Sequence, residues 1–307
     1  MNEPLIRIEN ITKKFDKERG NFDISFDVNK GEVIGILGEN GAGKTTLLRC
    51  IMGFIRPNKG KITIDGLDAY KDAEETKEFI AYVSGEINYP DLKSGTAFLK
   101  IIQKLDSTYN VEKTNSLISR LQLDITAYPK RMSKGMKQKL ALVTALGKDK
   151  DVLILDEPTI GLDPLMRDTL LEIINEEKEA GKTIIMTSNT FMEVEKTCDK
   201  VIFISKGRVF DVCDINELKS GENKVYSMQF NLEEDYHKII NSHFKVKKHN
   251  DENRSVEILL KKEDTRVFLD YISELDIKYL SVQTYDLESY FKDLMEEKVY
   301  GKDKGKA

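Results

Sequence analysis

Hydrophobic and polar positions change period along this chain, and each change predicts an element. Leu5-Ile6-Arg7-Ile8 and then Phe22-Asp23-Ile24-Ser25-Phe26-Asp27-Val28 alternate with period two, as half-exposed strands do. Gly31 interrupts the chain before Val33-Ile34-Gly35-Ile36-Leu37, a run with no polar side chain that predicts a central strand covered on both faces. From about residue 88 to 148 the period becomes helical, with Phe98, Ile101, Ile102 and Leu105 on one stripe. Buried-strand runs return at Val152–Leu155, Thr183–Met186 and Val201–Ile204. Between the first two lies a punctuated helix: Asp163 as N-cap, Pro164 at the first helical position, Gly181 just past the end. Strands alternating with helices predict an α/β core with parallel strands.

The pattern then shifts. Lys219-Ser220-Gly221-Glu222-Asn223 reads as a linker, and Val225–Phe230, Phe244–Val246, Ser255–Leu260 and Ile277–Val282 alternate like half-exposed strands with helical stretches between them. This predicts a large domain over 1–218, with a helical part near 88–148, and a small α+β domain over 224–297 that ends in a helix near Leu287–Glu297. A flexible tail is expected over 298–307, where apolar content falls. No internal repeat is visible.

Composition narrows the function classes. Against 53 acidic residues stand 48 basic ones, for a net charge of −5, which argues against non-specific nucleic-acid binding. Cys50, Cys198 and Cys213 are too few and too dispersed for a disulfide framework or a zinc knuckle, so buried thiols are expected. The amino terminus lacks a secretory pattern, and no apolar run approaches the ~18 residues that span a bilayer. A cytoplasmic chain is expected, with any membrane work done through another polypeptide.

Two motifs carry chemistry. After the first buried strand comes Gly38-Glu39-Asn40-Gly41-Ala42-Gly43-Lys44-Thr45-Thr46. Its glycines let backbone N–H groups curl around phosphates, and the following helix turns its positive end toward them. Lys44 adds a mobile charge, and the Thr45 hydroxyl can ligate Mg²⁺. Later, Val152-Leu153-Ile154-Leu155 delivers Asp156 and Glu157 at its carboxyl end, the edge where open α/β sheets bind ligands. An Asp there can hold Mg²⁺, and a Glu beside it can orient an attacking water. Alone, adjacent acids after a strand are also a common surface feature.

The combination resembles a known family. The phosphate loop, then Met132-Ser133-Lys134-Gly135-Met136-Lys137-Gln138 opening a helix, then Asp156-Glu157-Pro158-Thr159, then Gly161-Leu162-Asp163 is similar in order and spacing to an ABC ATPase cassette over residues 4 to about 215. The resemblance implies a P-loop fold with an antiparallel β subdomain and a helical subdomain, ATP and Mg²⁺ as ligands, and two cassettes meeting head to tail around ATP. Lys44 and its loop would hold the nucleotide; Ser133 and the Gly135 amide would cap the γ-phosphate bound by the partner cassette. Phe15 falls where the family stacks an aromatic on adenine, the alternative being a core position. Asp163 would make the contact between subunits, besides capping its helix. The basic residues Lys130, Arg131, Lys134, Lys137 and Lys139 read as a solvated face. The signature variant resembles the branch serving bacterial exporters of antibiotics, peptides or sodium. It implies a separate multi-helix membrane subunit docked around Glu86–Lys104, with this chain peripheral on the inner face of the membrane.

Two positions depart from the family pattern. Where a Gln usually ends the strand Ile80–Ser84, this chain has Gly85 followed by Glu86, which either substitutes as a contact to Mg²⁺ or is a surface acid. Where a His follows Thr183–Met186, it has Thr187-Ser188-Asn189. Asn189 can donate a hydrogen bond to a γ-phosphate but carries neither charge nor a titratable proton, which predicts slow hydrolysis. Two other classes stay in view: an ATP-gated regulatory module with little turnover, and a soluble ABC ATPase acting on the ribosome or DNA. Against the latter, a single cassette is present, and only about ninety residues separate Gly43 from Ser133, with no sustained heptads between them.

Overall fold

The computed structural model describes residues 3–16, 19–220 and 223–300. The chain divides into two compact units, Met1–Cys213 and Asp214–Ala307.

The first unit opens with β1 (Ile6–Lys14) and β2 (Gly20–Val28), the alternating segments, followed by β3 (Val33–Leu37), whose five residues are all buried. Next come α1 (Lys44–Ile51), β4 (Lys59–Ile64), β5 (Leu67–Asp68), α2 (Ala73–Glu78) and β6 (Ile80–Val83). The helical stretch is α3 (Gly95–Leu105), α4 (Val111–Arg120) and α5 (Lys134–Leu146). Each has a side-chain cap that its sequence announces: Ser94 accepts from the Ala97 N–H at 3.1 Å, Asn110 from Lys113 at 2.9 Å and Ser133 from Met136 at 3.2 Å. Then follow β7 (Val152–Asp156), α6 (Pro164–Glu179), β8 (Thr183–Ser188), α7 (Phe191–Thr197), β9 (Lys200–Ser205) and β10 (Arg208–Asp214), the last joined to β9 through a Lys206-Gly207 turn at positive φ. The apolar pattern predicts no strand at β10, most of whose residues are half-buried or exposed.

Two sheets result. One has the order β2-β1-β4-β5, antiparallel throughout; the other runs β10-β9-β3-β8-β7-β6, with β9, β3, β8, β7 and β6 parallel. Leu47, Leu48 and Ile51 of α1 join one buried cluster with Ile8, Ile24 and Ile62 of the first sheet and Ile34, Ile154 and Ile202 of the second, so the helix is clamped between them. Each such side chain contributes about 1.5–3 kcal/mol by leaving water. This rigid packing holds the amino end of α1 level with the carboxyl ends of β3, β8 and β7. The register is explicit: Leu37 lies beside Ser188, and Thr187 beside Asp156.

The second unit contains α8 (Ile215–Ser220), β11 (Lys224–Phe230), α9 (Glu233–Ile240), β12 (Val246–Asn250), β13 (Ser255–Leu260), α10 (Thr265–Ile272), β14 (Ile277–Thr284) and α11 (Leu287–Tyr300). Lys219 and Ser220, read as linker, instead close α8, and Phe244, read as strand, sits buried before β12 begins. The tail expected from residue 298 starts inside α11, and 301–307 lie outside the described residues. The sheet order β12-β13-β11-β14, all antiparallel, with α9 and α10 as crossovers, is the split βαβ arrangement. Tyr226, Met228, Phe230, Tyr236, Ile239, Phe268 and Ile272 form its core. All three cysteines of the chain are buried, and burial pushes the Cys50 thiol up to about 11. Among the described residues no helix is long and apolar enough to cross a membrane.

Candidate active site

The loop between β3 and α1 closes on a helix start with neither a side-chain cap nor an acid in its first turn. Gly43 stands there at φ 105°, a conformation that penalises any side chain, and an added Cβ would lie 2.7 Å from the Asn21 amide nitrogen. The N–H groups at that helix end are thus left for an anion. Asn40, Gly41, Ala42, Gly43, Lys44, Thr45 and Thr46 line a hollow of about 160 Å³ together with Glu39 and Glu157. Lys44 is only 4% exposed. Its Nζ curls back over the loop, donating to the Gly38 carbonyl at 2.6 Å and the Glu39 carbonyl at 3.3 Å, with Glu157 Oε1 at 3.5 Å.

The acid pair joins this hollow through β8. Thr187 Oγ1 donates to Asp156 Oδ1 at 2.8 Å and accepts from the Glu157 N–H at 2.9 Å. Thr45 Oγ1 donates to the same Asp156 Oδ1 at 3.2 Å. Asp156 Oδ2 is buried and has no hydrogen-bond partner. An orphaned carboxylate oxygen costs about 1–3 kcal/mol or more, and a hydrated divalent cation beside the Thr45 hydroxyl would remove that cost. The donor set fits Mg²⁺, which is held by one or two protein oxygens plus phosphates and waters. Glu157 sits at φ 47°, in the left-handed region that is strained for a non-glycine residue. The Thr187 bond and the Ile160 N–H donating to the Glu157 carbonyl at 3.1 Å hold it there.

The remaining candidate residues distribute unevenly. Asn189 is exposed and shares a second hollow, of about 140 Å³, with Glu157; Thr190 Oγ1 donates to its Oδ1 at 3.3 Å. Gly85 lies beside the orphan oxygen, since an added Cβ would stand 3.3 Å from Asp156 Oδ2. Glu86 is not brought there. Its side chain is 83% exposed and pairs with Arg49 at 3.4 Å, the surface-acid alternative. Phe15 is 58% exposed with Lys13 over its ring, so it is no core residue. Ser133, Gly135 and Asp163 do not line the phosphate hollow; Ser133 caps α5, and Asp163 caps α6, accepting from the Met166 N–H at 3.0 Å. Sequence reasoning assigned no role to Thr187, whose only signal is a hydroxyl at the end of an apolar strand.

The ABC transporter family pattern matches residues 22–160. The ABC transporter ATP-binding protein NatA of Bacillus subtilis (strain 168) is 39% identical over 194 residues, spanning 61% of this chain and 78% of that protein. The chain belongs to the ATP-binding proteins of ABC transporters. Like other members of this family it is an ATPase, and its ligands are ATP and Mg²⁺. Two further relatives come from the same organism. The uncharacterized ABC transporter ATP-binding protein YhcH is 30% identical over 304 residues, covering 95% of this chain and 96% of its own. The linearmycin resistance ATP-binding protein LnrL is 33% identical over 213 residues, covering 68% of each. Among solved structures, an ATP-binding subunit of an ABC transporter superposes with a TM-score of 0.63 at 27% identity, over 70% of this chain and 92% of that one. The cassette MJ0796, solved as a dimer bound to ADP and Pi, gives 0.61 at 20% identity over 68% and 98%, a likeness of fold.

Proposed function

We propose that this ABC ATPase powers a membrane exporter by ATP-driven, head-to-tail dimerisation of two cassettes. The observation that carries the reading is the incompleteness of the phosphate hollow. It is lined by Glu39–Thr46 and Glu157 alone, while Ser133 and Gly135, the signature residues, lie apart from it. A second copy supplies them.

In this reading the loop amides and Lys44 bind the phosphates, and Phe15 stacks on the adenine. Ser133 and the amino end of α5 cap the γ-phosphate held by the partner chain. Asp163 contacts that partner. Thr45 and Asp156 hold Mg²⁺, which when bound neutralises phosphate charge. Glu157 orients the attacking water, and its carboxylate stays close to Lys44 until phosphate competes for the ammonium. Asn189, across the second hollow from Glu157, donates an amide hydrogen bond to the γ-phosphate. With no side chain at Gly85 and no imidazole at position 189, turnover is slow.

The membrane partner is a separate multi-helix subunit that seats on the surface around Glu86–Lys104, and this chain sits at the inner face of the membrane through it. Supporting this, α3 leaves Ile101 and Leu105 exposed, Leu105 by 78%. Export is favoured by the signature variant and by the resistance named in LnrL. Solubilised membranes of the native host should yield the chain bound to a multi-helix protein, and charge reversals at surface residues within Glu86–Lys104 should weaken that complex. Recovery only with ribosomes or DNA would overturn the reading.

A further inference from the structure

The first turn of α5 is fastened to more of the molecule than a surface cap requires. At Gly135 the helix backbone meets the 157–163 loop directly: an added Cβ would stand 2.5 Å from the Gly161 carbonyl oxygen. One residue past the turn, Gln138 is buried and donates from Nε2 to the Pro158 carbonyl at 2.9 Å. Between them the Lys137 carbonyl accepts from the Tyr89 hydroxyl at 3.0 Å, and Tyr89 packs edge-on against Phe98 of α3.

Pro158 is the residue after Glu157. Its ring fixes φ, and Glu157 on its other side is held at a strained φ of 47°. Because the ring fixes φ, the ψ of Pro158 is the one soft rotation between its carbonyl and the peptide that carries Glu157, so a bond to that carbonyl restrains where Glu157 points. Gln138 is the side chain that makes this bond. It is buried, so its bond is strong and costly to leave unmade, and it is neutral, so pH does not alter it.

We propose that Gln138 is a positioning residue that couples the two nucleotide sites of a dimer through each chain. It ties the signature end of α5, which faces the partner's nucleotide, to the peptide that aims Glu157 at the chain's own. The proposal rests on the head-to-tail reading above. Docking of α5 on a second cassette then sets the geometry of Glu157, which makes hydrolysis depend on both sites being filled.

The test uses the purified full chain and three substitutions. Gln138→Leu removes the donor. Gln138→Glu keeps the shape and loses the donor when ionised, but burial raises a carboxyl pKa, so acid restores an O–H donor. Tyr89→Phe cuts a bond to the same turn without touching Pro158. Each variant is compared for thermal unfolding, affinity for a fluorescent ATP analogue at concentrations where the chain is monomeric, and ATP hydrolysis against ATP concentration. For Gln138→Leu the expected result is kcat lower by about tenfold, the value of one hydrogen bond. Its Hill coefficient should fall toward 1, with monomer ATP affinity within twofold of wild type. Gln138→Glu should match it at pH 8 and recover relative to wild type at pH 5.5, and it decides the matter if the Leu variant does not fold. Tyr89→Phe should stay within twofold of wild type. Unchanged kcat and cooperativity in a folded Gln138 variant would overturn the coupling, as would an equal loss in Tyr89→Phe. If Glu157→Gln forms an ATP-dependent dimer while the Gln138 variants are silent, the coupling alone is wrong; if no such dimer forms, the dimer reading fails and the coupling with it.

Discussion

The two units of this chain treat polar groups differently. In the first, the apolar strands β3, β7 and β8 end level, and at and just beyond those ends lie an orphaned Asp156 oxygen, a buried Lys44 ammonium curled over its own loop, and Glu157 in a left-handed conformation. In the second, charges answer one another. Asp235 is met by Lys238 at 2.7 Å and by the Asp276 N–H at 2.9 Å, and Lys247 pairs with Asp293 at 2.8 Å. The unmet interactions of the first unit gather around the phosphate hollow, whereas these charged pairs of the second serve its own fold.

That contrast can be broken by experiment. Its largest expected effect is at Lys44. Lys44→Ala should weaken ATP binding by about 2–4 kcal/mol, because the loop loses its one charged phosphate contact; isothermal titration reads this directly, and an affinity within threefold of wild type would remove Lys44 from the site. A smaller effect is expected at Asn189. Asn189→Ala should lower turnover by about tenfold with little change in ATP affinity, on the scale of one hydrogen bond. Asn189→His should raise turnover and introduce a pH dependence near the ordinary histidine value of about 6.5, whereas the wild-type rate stays nearly flat from about pH 6 to 8 because no imidazole titrates there. Equal rates for Asn and Ala would make Asn189 a bystander. Least of all should follow from removing residues 219–307: ATP affinity should stay within about threefold, with altered dimer stability or regulation, and a folded truncation that no longer binds ATP would erase the contrast between the units.

Much of the first unit was legible because its signals are local. The glycine loop needs particular residues at fixed offsets, the buried strands are continuous apolar runs, and Asp163-Pro164 announces a helix start. What escaped depends on chain segments distant in sequence. Thr187 looks like any β-branched strand former until β8 lies between β3 and β7, where its hydroxyl bridges Asp156 and the Glu157 amide. Gln138 closes the motif that opens α5, but its bond to Pro158 is not legible in the sequence. Glu86 is next to Gly85 in sequence, but the chain turns its carboxylate to Arg49 while Gly85 faces Asp156. In the second unit the strands were readable by alternation, with Phe244 misplaced into one, but their order was not, since pairing register is set by tertiary contacts.

In the proposed dimer, two copies of this chain close around ATP through residues that one copy cannot bring together. Glu157→Gln tests it most directly, since the amide keeps the side chain's shape but cannot act as a base. With ATP and Mg²⁺ the variant should run on a sizing column with light scattering at twice the monomer mass, returning to monomer without nucleotide, while hydrolysis falls by about 10²-fold or more. A variant that stays monomeric at saturating ATP, or that hydrolyses ATP at the wild-type rate, would contradict the account.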